Sequence, residues 1–353
     1  MPISAARLVA FDILRKVELG GYAGDLLLAQ TASMDSRDAG LAAQVVFGCL
    51  RYQAQLDYLT TLYSGRGRKL DFEVRIALRM GIFQIRYLER IPPHAAIGES
   101  VALVKRARKT SAAGFVNAVL RKVNRDPVDW PAREVALSCP EWLLDRWTSR
   151  YGLEVGEGIA RAALVEPPKH FRGGRMQDIG SQSIIPLLSL EPGQTFLDLC
   201  AAPGNKTAQA LESGVRAIAC DVHWHRMSSL RALGCDLVAL DGTRPLPFAS
   251  GFDRILVDAP CSGTGTLARN PEIKWRLVTA DLDDLPRRQR ALLANARAAL
   301  APGGLLVYST CSLEPEENQA VVATVPPERI LKTVERIPGR DPGDGFFAAV
   351  IQG

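Results

Sequence analysis

The chain has 353 residues, 47% of them hydrophobic and 23% charged, with a formal net charge of +5. That length predicts about two domains, and the composition excludes disorder, collagen and a coiled coil as descriptions of the whole chain. No run approaches the ~18 apolar residues of a membrane span, and seven cysteines with no C-x-x-C pair argue against a disulfide framework or zinc ribbon, so a reducing cytoplasm is expected.

The charge is unevenly placed. Residues 1–140 carry 20 Lys and Arg against 13 Asp and Glu, or +7, and the remainder carries −2. A basic front half on a near-neutral back half hints at a polyanion-binding module joined to something else.

Residues 1–125 read as helical. MPISAARLVAFDILRKVE is an amphipathic helix rather than a secretory signal, because Asp12 interrupts any apolar core. Apolar residues recur at three and four: Leu8, Phe11 and then Leu14 or Val17; Leu41, Val45 and Leu50; Ile76, Met80, Phe83 and Tyr87; Val101 and Val104; Phe115, Val119 and Val123. Asp71 is placed to cap the helix through Ile76, Gly65 and Gly67 mark a loop, and Pro92-Pro93 mark a break. Five to seven packed helices account for this stretch. Residues 126–180 are transitional, with short helices over Glu141–Tyr151 and 154–164 and a Pro/Gly/basic connector, EPPKHFRGGR.

From Gln182 the rhythm changes. TFLDLC, RAIACD, DLVALD, FDRILVDAP and GGLLVYSTC are β-type apolar runs with helix-like segments between most of them. That alternation predicts a parallel, doubly wound sheet, in which ligands bind at the carboxyl ends of the strands.

Each run ends in a polar or reactive group. The first ends Asp198-Leu-Cys-Ala-Ala-Pro-Gly-Asn-Lys-Thr207, where small residues let the backbone approach a ligand closely; a tight turn without a ligand explains it equally well. Asp221, 23 residues after Asp198, stands where a ribose diol would be gripped, or is a solvated helix cap. Asp241 could accept from an adenine amino group, or belong to a plain Asp-Gly turn. The fourth run ends Asp258-Ala-Pro-Cys-Ser-Gly-Thr-Gly265 and the fifth Ser309-Thr-Cys-Ser312. Free cysteines are usually buried packing residues, but two at adjacent strand ends, each beside a hydroxyl residue, point toward nucleophilic chemistry. His223 and His225 have no further Cys/His ligand spacing beside them, so surface positions and no metal are expected.

Together DLCAAPGNKT, DAPCSGTG, NPEIKW and YSTCSLEPEEN resemble the S-adenosylmethionine-dependent RNA 5-methylcytosine methyltransferases across residues 178–322, and DGFFAAVI resembles that family's last strand. RLVAFDILRKVE, VFGCLRY, RIALRMGIFQIRYL, IPPHAAIGESVALVK and GFVNAVLRKV resemble the NusB-like helical RNA-binding domain of the branch acting on small-subunit (16S) ribosomal RNA. The resemblance implies a NusB-like domain over 1–130, a connector over 131–177 and a Rossmann-like methyltransferase domain over 178–353.

It further implies that Cys311 is the nucleophile attacking C6 of cytosine, that Cys261 acts in product release, and that Asp258 sits at the cofactor site; Asp258, protonated or acting with water, is also the expected donor to N3 of the base. Cys200, Ala201, Ala202, Pro203, Gly204, Asn205 and Lys206 would wrap the methionine part of S-adenosylmethionine, with Asp221 on its ribose and Asp241 on its adenine. Lys206 is expected either to pair with a carboxylate or to lie exposed in the first helical turn. Lys105, Arg106, Arg108 and Lys109 would contact RNA phosphates. A cytoplasmic monomer without a metal or membrane partner is expected. A non-catalytic RNA-binding or assembly factor, or a 5-methylcytosine methyltransferase of another RNA, is the alternative; the presence of both cysteines argues against the first.

Two departures from the family stand out. Asn205 replaces a glycine of the usual APGGKT; because Asn tolerates positive φ, cofactor binding is expected to survive, weakened. The family's RRM-like subdomain, which helps hold RNA, is mostly absent, with only ALVEPPKHFRGGR in its place.

Overall fold

The computed structural model describes residues 3–65, 70–248 and 251–353. Gly67, expected to mark a loop, lies outside them; Gly65 ends its helix in the left-handed conformation at φ 70°. The chain forms two compact units, Met1–Glu166 with Leu267–Trp275, and Pro167–Thr266 with Arg276–Gly353.

The first unit is helical. It contains α1 (Ala5–Glu18), α2 (Ala23–Thr31), α3 (Ser36–Arg51), α4 (Gln53–Ser64), α5 (Phe72–Tyr87), α6 (Pro93–Arg106) and α7 (Ala113–Leu120), then α8 (Arg133–Ala136), α9 (Glu141–Tyr151) and α10 (Leu153–Ala162). The helix α1 buries Phe11, Leu14 and Val17 as the spacing predicts, while Leu8 is only half-buried. The helix α5 departs from its expected single stripe. Every residue from Ile76 to Ile85 is buried, which makes it the central helix of the bundle. Its neighbours come very close: a Cβ on Gly48 of α3 would lie 1.9 Å from Phe83 Cζ.

The polar groups that α5 carries inward are paired. Arg79 reaches Asp57 through two 2.7 Å bonds and Glu18 at 3.0 Å, and Gln84 accepts from Arg7, which itself pairs with Glu99 at 2.7 Å. Asp71 does occupy the cap position of α5, but its side chain caps nothing. Its Oδ2 instead holds Lys109 Nζ at 2.9 Å, so one cation of the basic run is neutralised within the fold. Lys105, Arg106 and Arg108 are exposed.

The segment Leu267–Trp275, which carries NPEIKW and opens α13 (Ile273–Arg276), packs with these helices. Ala268 O accepts from Arg51, Glu272 Oε1 from Ala23 N–H, Lys274 Nζ donates to Arg51 O and Trp275 Nε1 to Leu50 O. Burial pulls the Lys274 ammonium down to about 8.

The second unit opens with a hairpin, β1 (Phe171–Arg172) and β2 (Arg175–Met176), then α11 (Ile179–Gln182). A seven-stranded sheet follows, made of β3 (Thr195–Asp198), β4 (Arg216–Asp221), β5 (Asp236–Ala239), β6 (Phe252–Asp258), β7 (Leu300–Thr310), β8 (Ile330–Arg336) and β9 (Phe346–Gln352). Its order is β5-β4-β3-β6-β7-β9-β8. The first five are parallel, as the apolar runs predict, and β9 runs antiparallel between β7 and β8. The helices α12 (Asn205–Leu211), α14 (Asp281–Ala298) and α15 (Gln319–Val322) accompany the sheet.

The strand order reverses between β3 and β6, so the crevice of a doubly wound sheet falls at the ends of these two strands, where Asp198 and Asp258 stand. The strand β9 is buried from Phe346 to Ile351. The strand β8 is an edge with Lys332 and Thr333 exposed, and its polar sequence carries no strand signal; charge on an edge discourages further pairing.

Candidate active site

Parallel pairing sets the site. Asp258 of β6 lies opposite Ser309 of β7 in the register, so the chain that follows each strand emerges side by side. Cys261 comes three residues beyond Asp258 and Cys311 two beyond Ser309, and their sulfurs lie 3.4 Å apart. Backbone bonds hold the two loops together: Ala259 N–H donates to Ser309 O and Gly265 N–H to Cys311 O, each at 2.8 Å. A Cβ on Gly265 would sit 2.4 Å from Gly345 O, so only glycine fits there.

Beneath the cysteines is a buried carboxylate to which the sequence reading gives no role, although it lies within YSTCSLEPEEN. Glu317 is fully buried. Its Oε2 accepts from Ser262 N–H and Gln289 Nε2, both at 2.8 Å, and its Oε1 accepts from Ser312 Oγ at 2.6 Å. Ser262 and Ser312 also bond each other at 3.0 Å. One side chain therefore grips the residue after each cysteine. The hydrogen bond to Cys311, then burial, holds the Cys261 thiol well above its usual range, and either sulfur can donate to the other.

Lys206 is not an exposed first-turn residue. It pairs with Asp258, Nζ to Oδ2 at 2.6 Å, while Asp258 Oδ1 accepts from Ser309 Oγ at 2.7 Å. Burial alone would lower the Lys206 ammonium, but Asp258, with smaller contributions from Cys311 and Asp198, holds it above the usual lysine range. Ser309 is a second site residue to which the sequence alone assigns no role.

The loop from Cys200 to Lys206 joins β3 to α12. Positive φ belongs to Gly204, at 102°, where a Cβ would also meet Leu230 at 2.7 Å. Asn205 is the first residue of α12, outside the left-handed region, so its tolerance there does not rest on positive φ. Its side chain instead ties the loop to the hairpin, with Nδ2 donating to Met176 O of β2 at 3.0 Å.

A cavity of about 640 Å³ opens beside this loop, lined among others by Cys200, Ala202, Asp221, Asp241, Asp258 and Cys311. Asp221 accepts from Ala202 N–H and His223 N–H. Asp241 closes its own turn by accepting from the N–H and hydroxyl of Thr243, and the hydroxyl bond is the first reason its carboxyl lies below the usual range. The turn and the cavity wall are thus the same residue. Arg226 and Arg288, which no sequence motif singles out, also line the cavity.

A smaller cavity of about 120 Å³ is lined by Asp198, Pro203, Asn205 and Lys206 with others. Asp198 is 1% exposed; its Oδ2 accepts from Thr207 Oγ1, but its Oδ1 has no partner among the described residues. Burial pushes its carboxyl up to about 7. Burial holds the Cys200 thiol high, with three aspartates adding to it, and Cys200 lines the larger cavity. His223 and His225 are exposed, and no cluster of three or more metal-ligating side chains occurs among the described residues.

A mostly parallel sheet with a switch-point crevice, a small-residue loop leading into a helix and acidic strand ends describe a Rossmann-like α/β unit, and the chain adds a helical unit to it. A family model described as 16S rRNA methyltransferase RsmB/F matches residues 185–335, and the NusB family model matches residues 4–125. Ribosomal RNA small subunit methyltransferase B of Sodalis glossinidius (strain morsitans) is 31% identical over 425 aligned positions, covering 98% of this chain and 96% of the relative. The protein of the same name from Cronobacter sakazakii (strain ATCC BAA-894) is 29% identical over 428 positions, covering 99% and 98%. The chain belongs to the family of ribosomal RNA small subunit methyltransferase B. The crystal structure of PH0851 shares the fold, with a TM-score of 0.80 at 21% identity and complete coverage of both chains. Because 428 aligned positions exceed the 353 residues of this chain by 75, at least 75 positions of that alignment face gaps here.

Proposed function

We propose that the protein transfers a methyl group from S-adenosylmethionine to C5 of a cytosine in small-subunit (16S) ribosomal RNA, through a covalent bond between Cys311 and C6. The observation that carries the reading is the paired Cys261 and Cys311 sulfurs, set in the same cavity wall as Asp258 with its Lys206 partner. The family's name supplies the RNA class.

The residues present fit the cofactor. The unpartnered Oδ1 of Asp198 beside the small cavity suits the amino group of its methionine part. Asp221 and Asp241 in the larger cavity suit the ribose hydroxyls and the adenine side, and the loop from Cys200 to Asn205 closes around the join. Bound there, S-adenosylmethionine supplies an electrophilic methyl group.

Cytosine C5 is a weak nucleophile. Addition of the Cys311 thiolate to C6 makes C5 an enamine carbon, and the displaced electron pair is met by a proton at N3. Lys206 suits that donation, because Asp258 already accepts from both Lys206 and Ser309 and so serves as the carboxylate that orients the ammonium. C5 then takes the methyl group. Loss of the C5 proton and cleavage of the C6–S bond restore aromaticity and free Cys311. Cys261 is the base we assign to that proton: once Cys311 is a thioether, the hydrogen bond that chiefly holds up the Cys261 thiol is lost, its proton passes to solvent, and the thiolate takes the C5 proton while the N3 proton returns to Lys206. The target base is reached in a crevice, which requires a single-stranded or flipped-out nucleotide.

Incubation with labelled S-adenosylmethionine and unmodified small-subunit RNA, followed by mapping of 5-methylcytosine, tests the reading. Cys311→Ala is expected to abolish transfer. Cys261→Ala is expected to accumulate a protein–RNA adduct stable on denaturing gels. Equal product from both variants and the parent would overturn the assignment.

A further inference from the structure

The short hairpin that stands in place of the connector is built inside out. In a two-stranded ribbon, paired residues share a face and neighbours along a strand alternate. Phe171 pairs with Met176, and Arg172 with Arg175. The arginine face is the one turned to the protein: Arg172 pairs with Glu212 just beyond α12 at 2.6 Å, and Arg175 donates to Ser229 O at 3.3 Å. The apolar face is left in solvent, with Phe171 63% and Met176 55% exposed. A soluble hairpin with no further role buries its apolar pair and exposes its arginines, so the inversion calls for an occupant.

The hairpin is also fixed against the cofactor loop. Asn205 Nδ2 holds Met176 O, Ser229 Oγ donates to Pro203 O of the same loop, and Gln177 Nε2 donates to Gln209 Oε1 of α12. An exposed aromatic face therefore stands on a rigid mount beside the site. The charge around it is positive: 167–177 contains Lys169, Arg172, Arg175 and His170 and no carboxylate. Glu212 neutralises Arg172, whereas Lys169 is exposed and makes no ion pair among the described residues. An aromatic plane next to unneutralised cations is the pairing that recognises a flat base on a charged backbone.

We propose that the Phe171–Met176 face is a stacking platform for a single-stranded RNA nucleotide near the target, with Lys169 on a phosphate. The proposal rests on the reading of the substrate as RNA. It assigns to this chain's own hairpin part of the hold on single-stranded substrate.

The test is direct binding of a fluorescent single-stranded RNA oligonucleotide to the full chain by anisotropy, without cofactor. Phe171→Ala is expected to raise Kd about 5-fold or more, and Phe171→Trp to restore it. Lys169→Ala is expected to flatten the dependence of log K on log salt by about 0.7. Affinity for S-adenosylmethionine, measured by calorimetry, is expected to be equal in parent and Phe171→Ala, which excludes misfolding as the cause. Unchanged RNA affinity in Phe171→Ala would overturn the proposal, as would an equal loss on a duplex of the same length, since a paired base cannot stack there. If the parent binds the oligonucleotide yet methylates no RNA, the catalytic reading fails while the platform is still judged by Phe171.

Discussion

Lys206 and Asp258 form an ion pair across the first and fourth strand ends of the parallel sheet, Nζ to Oδ2 at 2.6 Å. The first strand end brings the small-residue loop and the fourth brings the loop of Cys261, so this bond joins the two sides of the crevice, the proposed cofactor side and the proposed nucleophile side. Lys206→Met keeps the aliphatic stem and removes the charge. The expected outcome is a fall in kcat of about 100-fold, the scale of losing one donor at a developing charge, with RNA affinity changed less than twofold. Single-turnover methyl transfer at saturating RNA measures it.

Glu317 predicts a different signature. Glu317→Ala leaves Ser262 N–H, Gln289 Nε2 and Ser312 Oγ without their common acceptor in a buried place, at a cost of roughly 2–4 kcal/mol; a fall in urea midpoint reports it. Glu317→Gln keeps the volume and removes the charge. Because that charge is one of the influences holding the Cys261 thiol up, alkylation of Cys261 by iodoacetamide is expected to begin at lower pH in this variant. Residue-resolved mass spectrometry of the alkylated protein gives the profile, and a merely structural role would leave it where it was.

Asp198 sets a pH dependence. Its folded carboxyl is pushed up to about 7, above an unfolded value near 4. Between those pH values the folded state holds a proton that the unfolded state has lost, so this group makes stability fall as pH rises through that window. A cationic amino group placed at Asp198 favours the ionised carboxylate. Cofactor affinity is therefore expected to rise with pH across about 6 to 8, with proton release on binding, and the effect is expected to vanish in Asp198→Asn. Calorimetry in two buffers of different ionisation enthalpy separates the released proton from the binding heat.

Asn205→Gly, the change that restores the family's usual residue, is expected to loosen the hairpin. It removes the bond to Met176 O and places glycine in the first turn of α12, together worth about 1–2 kcal/mol. Faster hydrogen exchange over 171–177, with the central strands unaffected, is the expected readout.

The strand ends are legible in the sequence because each apolar run of a parallel sheet stops at a polar residue, Asp198, Asp221, Asp241 and Asp258, then Cys311 just past the fifth, and the fold brings Asp221, Asp241, Asp258 and Cys311 to the lining of one cavity. The bundle is legible from three-and-four spacing, but that spacing makes α5 look one-sided, since periodicity marks a stripe and a central helix has none. Glu317 is hidden for another reason. Its role comes from three donors contributed by Ser262, Gln289 and Ser312, drawn from separate segments of the chain, and one of three glutamates in LEPEEN looks like surface charge. In the sequence Asn205 stands out for its backbone tolerance, whereas its side-chain amide, bonded to a carbonyl 29 residues earlier, is what the fold uses.

The register of Asp258 against Ser309 turns two short spacings into lengths of a gauge. Three residues on one strand and two on its neighbour bring the sulfurs together, and every parallel step of backbone advances about 3.3 Å. Lengthening either loop by a single residue would shift one sulfur by as much as separates the pair. The number of residues between strand and cysteine is therefore as much a part of the site as the side chains around it.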